Sequence, residues 1–311
     1  MTVMRIVFLG TGGGMPSRRR GLPAVAIKYA GSILLFDCGE STQRQAILAG
    51  LGFKKDFKIF LTHLHGDHVL GLPGLLYTMS MLNRKDPVEI FGPAGTKEVV
   101  KSLLVTTSGM TDFPVEIVEV DEGVVCTSRE YTVESIRSEH TVDSFAYRLR
   151  EKERPGRMRV EYLESIGLPR GPLWGRLQRG HAVIYKGRRI TPEEAVGPPR
   201  KGRVVVYTGD TRPTERIVEF SRNADVLIHD ATFSHDLFER ARAEGHSTVR
   251  EAAEVAAAAA VKRLYLFHIS PRYDEESERL LSEARSIFPE AYLPEDLTHF
   301  DVPYPSDEDR D

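Results

Sequence analysis

The stretch Thr62-His63-Leu64-His65-Gly66-Asp67-His68 follows directly on the apolar run Ile59-Phe60-Leu61. It places three imidazoles and a carboxylate at the end of what reads as a β-strand. On an extended or turning backbone His63 and His65 project to one side, while Asp67 and His68 face the opening of the next helix. Such a cluster supplies a histidine pair to one cation and an aspartate–histidine pair to a second, from the nitrogen and oxygen donors that suit zinc. A histidine-rich surface loop or an adventitious metal site fits poorly with this density of an infrequent residue. Three further candidates end apolar strands elsewhere: His140 after residues 131–137, Asp210 after 204–207 and His268 after 264–267. Each alone reads more readily as a cap or a satisfied polar group. Together, at the strand ends where α/β folds build their sites, they complete two metal sites with Asp210 as the bridging carboxylate. Two ions about 3.5–4 Å apart activate water near neutral pH and clamp a phosphodiester for in-line displacement.

The elements that must position these residues are short and β-branched or amphipathic. Strands are expected at 5–9, 24–28, 33–36, 58–61, 88–91, 115–120, 131–137, 146–149, 204–207, 226–228 and 264–267. Helices are expected at 41–51, 72–82, 96–106, 214–221, 247–260 and 275–287. Their alternation predicts α/β layers, with helices covering a sheet core. Residues 151–201 break the rhythm with scattered glycines and prolines among basic residues, and only 160–166 looks helical. This region reads as an inserted arm in a core running from residue 1 to 304. The acidic tail 305–311 lacks apolar residues and reads as disordered.

The 311 residues are 41% hydrophobic and 28% charged, with a formal net charge of −3. A polyanion would therefore have to meet a local basic patch. The candidates are Arg18-Arg19-Arg20 and the arm, where Arg148, Arg150, Lys152, Arg154, Arg157, Arg159, Arg170, Arg176 and Arg179 can neutralise phosphates without reading sequence. Cys38 and Cys126 are too few for a disulfide framework and read as reduced core residues. No signal peptide is evident, and no apolar stretch approaches the ~20 residues of a membrane span. We therefore expect a soluble, cytoplasmic protein without a membrane partner.

The order H-x-H-x-D-H, a lone histidine, a Gly-Asp and a final strand-end histidine resembles the binuclear metallo-β-lactamase superfamily over nearly the whole chain. That resemblance implies a four-layer αββα sandwich. Within the superfamily, Phe8-Leu-Gly-Thr-Gly-Gly, Phe36-Asp-Cys-Gly-Glu, Gly71-Leu-Pro-Gly-Leu, His229-Asp-Ala-Thr232 and Gly245-His-Ser-Thr248 are similar to segments of ribonuclease Z, the endonuclease that removes 3′ trailers from precursor tRNA. In the fourth of these, Asp230 stands where the family carries Glu. Pro16-Ser-Arg-Arg-Arg-Gly21 resembles the family's P-x-K-x-R-N loop, with Arg for Lys and Gly for Asn. Arg18 thus keeps the charge but changes donor geometry, and Gly21 lacks an amide, which implies altered discrimination at the tRNA 3′ end. Gly171-Pro-Leu-Trp-Gly-Arg-Leu177 looks like the exosite that grips the tRNA elbow.

The resemblance implies two zinc ions per subunit, with manganese as the alternative, a precursor tRNA substrate and a homodimer. It gives Asp67 the role of ligand and proton acceptor. His246, oriented by Asp230, becomes the proton donor to the leaving 3′-oxygen, and His229 stays outside the metal shell. Asp37 is expected to orient the metal loop through hydrogen bonds. Pro16, Arg18, Arg20, Ser247 and Thr248 become substrate contacts near the metals, and Gly171, Pro172 and Arg176 contacts on the arm. Two other readings are a binuclear hydrolase of small phosphodiesters or thioesters, and a non-catalytic RNA-binding module. The complete ligand set argues against the latter.

Overall fold

The computed structural model describes residues 2–106 and 111–304. The acidic tail expected at 305–311 lies outside the described residues. Two compact units are present, one comprising residues 2–150 and 204–303, the other 151–203 with Tyr304.

The first unit is built on two seven-stranded sheets. One runs His299–Asp301, Arg5–Gly10, Ala24–Tyr29, Ser32–Phe36, Asp56–Phe60, Val88–Gly92 and Val115–Glu119, edge to edge. The other runs Ala291–Tyr292, Leu264–Phe267, Val226–Asp230, Val204–Tyr207, Ser144–Glu151, Tyr131–Ser138 and Gly123–Thr127. Alternation along each strand gives every sheet two apolar faces. The inner faces meet in an aromatic core that includes Phe8, Phe36, Phe60, Tyr147, Tyr207 and Phe267, all fully buried or nearly so. The outer face of the first sheet is covered by the helices Thr42–Leu48, Leu72–Met81 and Thr96–Thr106. The outer face of the second is covered by Glu215–Ser221, Val249–Ala258 and Ser277–Arg285. This is the expected four-layer order.

Chain direction decides where chemistry can gather. Asp56–Phe60 runs parallel to both of its neighbours, as does Val226–Asp230 in the other sheet. Strand carboxyl ends therefore line up on one rim of each sheet, and the loops that follow them carry the candidate ligands.

The second unit has a small core of Leu163, Leu168, Leu177, Val183, Ile190 and Ala195. Its ends are joined by a buried ion pair, Arg203 Nε to Glu151 Oε2 at 2.8 Å. Besides the expected helix, seen at Val160–Ser165, it contains one at Pro172–Gln178, where the glycines and prolines had suggested a loop. Pro172 occupies the first helical turn, where its missing N–H costs nothing, and Leu173, Trp174 and Leu177 pack onto the small core. Among the described residues no helix is long and apolar enough to cross a membrane. Cys38 and Cys126 are both free.

Candidate metal centre

The loop after Asp56–Phe60 delivers four candidate donors at once, because the short helix Gly66–Val69 starts within it. His63 and His65 precede that helix; Asp67 and His68 lie in its single turn. Across the rim, His140, Asp210 and His268 each follow a strand of the second sheet. The side chains converge as two sets: His63, His65, His140 and Asp210, and Asp67, His68 and His268. In the first set His63 Nε2 lies 3.0 Å and His140 Nε2 3.3 Å from His65 Nδ1. In the second, His268 Nε2 and His68 Nε2 stand 3.3 and 3.5 Å from Asp67 Oδ2. Asp210 Oδ2 faces both, at 3.7 Å from His63 Nε2, 3.4 Å from His68 Nε2 and 3.3 Å from His268 Nε2.

The hydrogen bonds behind the rings fix their tautomers. Thr62 Oγ1 donates its one proton to Asp37 (2.9 Å to Oδ2), so at 3.0 Å from His63 Nδ1 it must accept from that ring. Thr232 Oγ1 donates to Asp230 Oδ1 (2.7 Å) and by the same logic accepts from His268 Nδ1 at 2.8 Å. His68 Nδ1 donates to Asp37 Oδ2 (2.8 Å), and His140 Nδ1 to the Gly245 carbonyl (2.8 Å). Four rings thus hold a proton on Nδ1 and aim a bare Nε2 lone pair at the cluster, as outer partners of metal ligands do. Bare donors about 3.3 Å apart repel one another unless a cation lies between them. That spacing is also about what two ligands 2.0–2.1 Å from a tetrahedral ion require. His68 Nε2 and Asp210 Oδ1 are buried and, among the described residues, have no hydrogen-bond partner. The donor set fits divalent metal ions.

Backbone strain marks the same places. Asp37 and His268 adopt left-handed conformations, with φ of 56° and 61°, which non-glycine residues keep only where the surroundings impose them. A Cβ on Gly13 would fall 2.3 Å from His268 Nδ1, so only glycine lets the loop approach that ring. The next residue, Gly14, donates its N–H to Asp67 Oδ2 (2.9 Å).

His246 lies beside the cluster rather than in it. It comes near Asp210 and His268, yet the nitrogen facing Asp210, at 3.9 Å, is Nδ1, which already bonds Asp230 Oδ2 at 2.9 Å. Burial disfavours the charged ring, but Asp230 overrides this and raises its pKa to about 9. His229 is buried with Nδ1 on the Asp230 carbonyl (2.7 Å), outside both sets.

Several expected substrate contacts have other positions. Pro16 and Arg18 are exposed near the loop of Gly13 and Gly14, but Arg20 is buried, with Nη1 donating to Thr11 Oγ1 and the Pro294 carbonyl, each at 2.6 Å. Ser247 is buried and donates to the Thr211 carbonyl (2.7 Å). Thr248 caps the helix Val249–Ala258 in a capping box with Glu251. The groups named here have partners within the fold, although the buried Arg20 Nε has none among the described residues. Gly171, Pro172 and Arg176 are exposed on the second unit. Sequence reasoning missed Tyr207, whose hydroxyl donates to Asp37 Oδ2 (2.8 Å), and Thr232 and Gly245, which hold His268 and His140. The only hints were that Thr232 and Gly245 each fall in a family-like segment, without a role attached.

Known proteins resemble this chain over nearly its whole length. The family described as "Beta-lactamase superfamily domain" matches residues 186–269, and that described as "Anti-Pycsar protein Apyc1" matches residues 4–153. The chain is 44% identical to ribonuclease Z of Methanosarcina mazei over 305 residues, spanning 98% of this chain and 100% of that one. It is 46% identical to ribonuclease Z of Haloarcula marismortui, spanning 97% and 98%. Among solved structures, human tRNase Z, short form, aligns with a TM-score of 0.69 at 28% identity, covering 96% of this chain and 100% of that one. With near-complete coverage at such identity, the chain belongs to the ribonuclease Z family.

Proposed function

We propose that this protein is a metal-dependent endoribonuclease that removes the 3′ trailer from precursor tRNA, leaving a 3′-hydroxyl on the tRNA and a 5′-phosphate on the trailer. The observation that carries the reading is the pair of donor sets sharing Asp210, with a carboxylate-held histidine beside them. His63, His65, His140 and Asp210 would hold one zinc ion, and Asp67, His68, His268 and Asp210 a second, with manganese as the alternative. Such ions supply Lewis acidity toward the phosphodiester and a nucleophile at neutral pH. Asp67, held by the Gly14 N–H, accepts the proton of the attacking water. His246 keeps its Nδ1 proton on Asp230 and delivers the Nε2 proton to the departing 3′-oxygen.

The second unit contributes affinity. Arg170, Arg176 and Arg179 are exposed on it together with Gly171 and Pro172, and a basic surface suits a substrate recognised by shape and backbone. Ile47, Leu48, Tyr77, Met81 and Leu82 are each at least 45% exposed on or next to the helices Thr42–Leu48 and Leu72–Met81. That unpaired apolar surface supports the homodimer. The cytoplasm, where precursor tRNA is processed, is the site of action.

The test incubates a precursor tRNA with the wild type, His65→Ala and a double variant, Arg170→Glu with Arg176→Glu. His65→Ala should abolish cleavage. The double variant should raise KM several-fold for tRNA while a small chromogenic diester is still hydrolysed. Cleavage by His65→Ala at the wild-type rate would refute the metal assignment. Equal loss on both substrates would refute the role of the second unit.

A further inference from the structure

A small polar cavity opens past His246, lined by Glu139, Arg212, Pro213, Arg242, His246 and Glu251. Arg212 has no role in the chemistry above, yet its place is tightly determined. Its segment starts at Asp210. Thr211 N–H donates to Asp230 Oδ2 (3.0 Å), the same oxygen that accepts the hydrogen bond of His246 Nδ1, and the Thr211 carbonyl accepts from Ser247. The Arg212 N–H donates to the Glu139 carbonyl (2.8 Å). One short stretch of chain therefore ties the shared carboxylate, the proton-donor pair and this arginine together. The guanidinium is held from two sides: Nε donates to the Arg242 carbonyl (2.8 Å), and Nη1 is ion-paired with Glu139 Oε1 at 3.7 Å, too long for a direct hydrogen bond. Among the described residues Nη2 has no partner, and the side chain is 22% exposed. A pre-oriented fork with a free face suits bidentate capture of a phosphate.

The direction of cleavage says which phosphate. Resting on the reading above, the bond broken joins phosphorus to the 3′-oxygen of the last nucleoside of the tRNA, and His246 protonates that oxygen. The nucleoside that departs with it must lie along the His246 wall. The next phosphate on the tRNA side, the one attached to that nucleoside's 5′-oxygen, then faces the cavity beyond. We propose that Arg212 binds this phosphate, one linkage upstream of the scissile bond, and so sets the position of the cut relative to the mature 3′ end.

The test uses two precursor tRNAs. One is unmodified. The other carries a single neutral methylphosphonate at the linkage one nucleotide upstream of the cut, with a 2′-O-methyl on the nucleoside preceding it. On the unmodified substrate Arg212→Ala should lose about 10- to 100-fold in kcat/KM, the range expected for a charge-assisted contact, and Arg212→Lys should lose less. On the methylphosphonate substrate the wild type should fall to the level of Arg212→Ala, and the ratio between the two enzymes should shrink towards one. Zinc content of both variants, measured alongside, should match the wild type. A ratio as large on the neutral linkage as on the charged one would overturn the proposal and leave Arg212 a structural pin for the helix Phe238–Glu244. Failure of the wild type to cut the unmodified precursor would instead overturn the assigned activity, and this assignment with it.

Discussion

The two sheets use one device and obtain two outcomes from it. Asp37, at the end of Ser32–Phe36, accepts from the Thr62 N–H and hydroxyl, from His68 Nδ1 and from the Tyr207 hydroxyl. Asp230, at the end of Val226–Asp230, accepts from the N–H and hydroxyl of Thr232, from the Thr211 N–H and from His246 Nδ1. Each is a buried carboxylate gripping a threonine, and each threonine in turn orients a histidine, His63 or His268. The difference lies in the second histidine. His68 is fully buried and turns Nε2 into the cluster, whereas the His246 side chain is 12% exposed and sits at the wall. A carboxylate behind a buried ring makes a better ligand; behind a ring that opens to a cavity it makes a proton donor. On the proposed reading, ligand and acid differ in how enclosed the ring is, not in what stands behind its near nitrogen.

Removing each carboxylate's charge separates the two outcomes. Asp37→Asn should have the larger effect. It leaves His68, Thr62 and Tyr207 without their common acceptor, and breaking a buried, hydrogen-bonded charge costs about 3–5 kcal/mol. Chemical denaturation should show that loss, and metal analysis should show fewer bound ions. Asp230→Asn should keep the metals and lower kcat about 100-fold, the lower range for loss of general acid catalysis. Its pH profile carries a sign. Asp230 raises the His246 pKa to about 9, so the ring stays protonated until pH rises through that value. Without the Asp230 charge the alkaline limb of kcat should move to lower pH. Metal loss in Asp230→Asn with retention in Asp37→Asn would reverse the assignment.

Much of the fold was legible because it depends on local pattern. The strands at 204–207 and 264–267 and the helix at 96–106 fall where alternation and amphipathicity put them. The strands Ala291–Tyr292 and His299–Asp301 were not visible, since two or three residues carry no period. The convergence of seven side chains on one rim was legible because each follows an apolar strand and four share one loop. Their supports were not. Tyr207 looks like any core aromatic until the sheets are stacked, and Thr232 and Gly245 act only through contacts distant in sequence. Arg18, Arg19 and Arg20 are alike as letters, but the fold exposes the first two and buries the third. In the second unit, glycine and proline content masked a helix that tertiary packing stabilises.

On the proposed reading, seven side chains hold two metal ions around Asp210. Native mass spectrometry of the zinc-loaded wild type and of His65→Ala addresses it directly. Two ions per chain are expected in the wild type and one in the variant, because His65 belongs to only one donor set while Asp67, His68 and His268 are untouched. A single ion in the wild type, or two retained by His65→Ala, would contradict it.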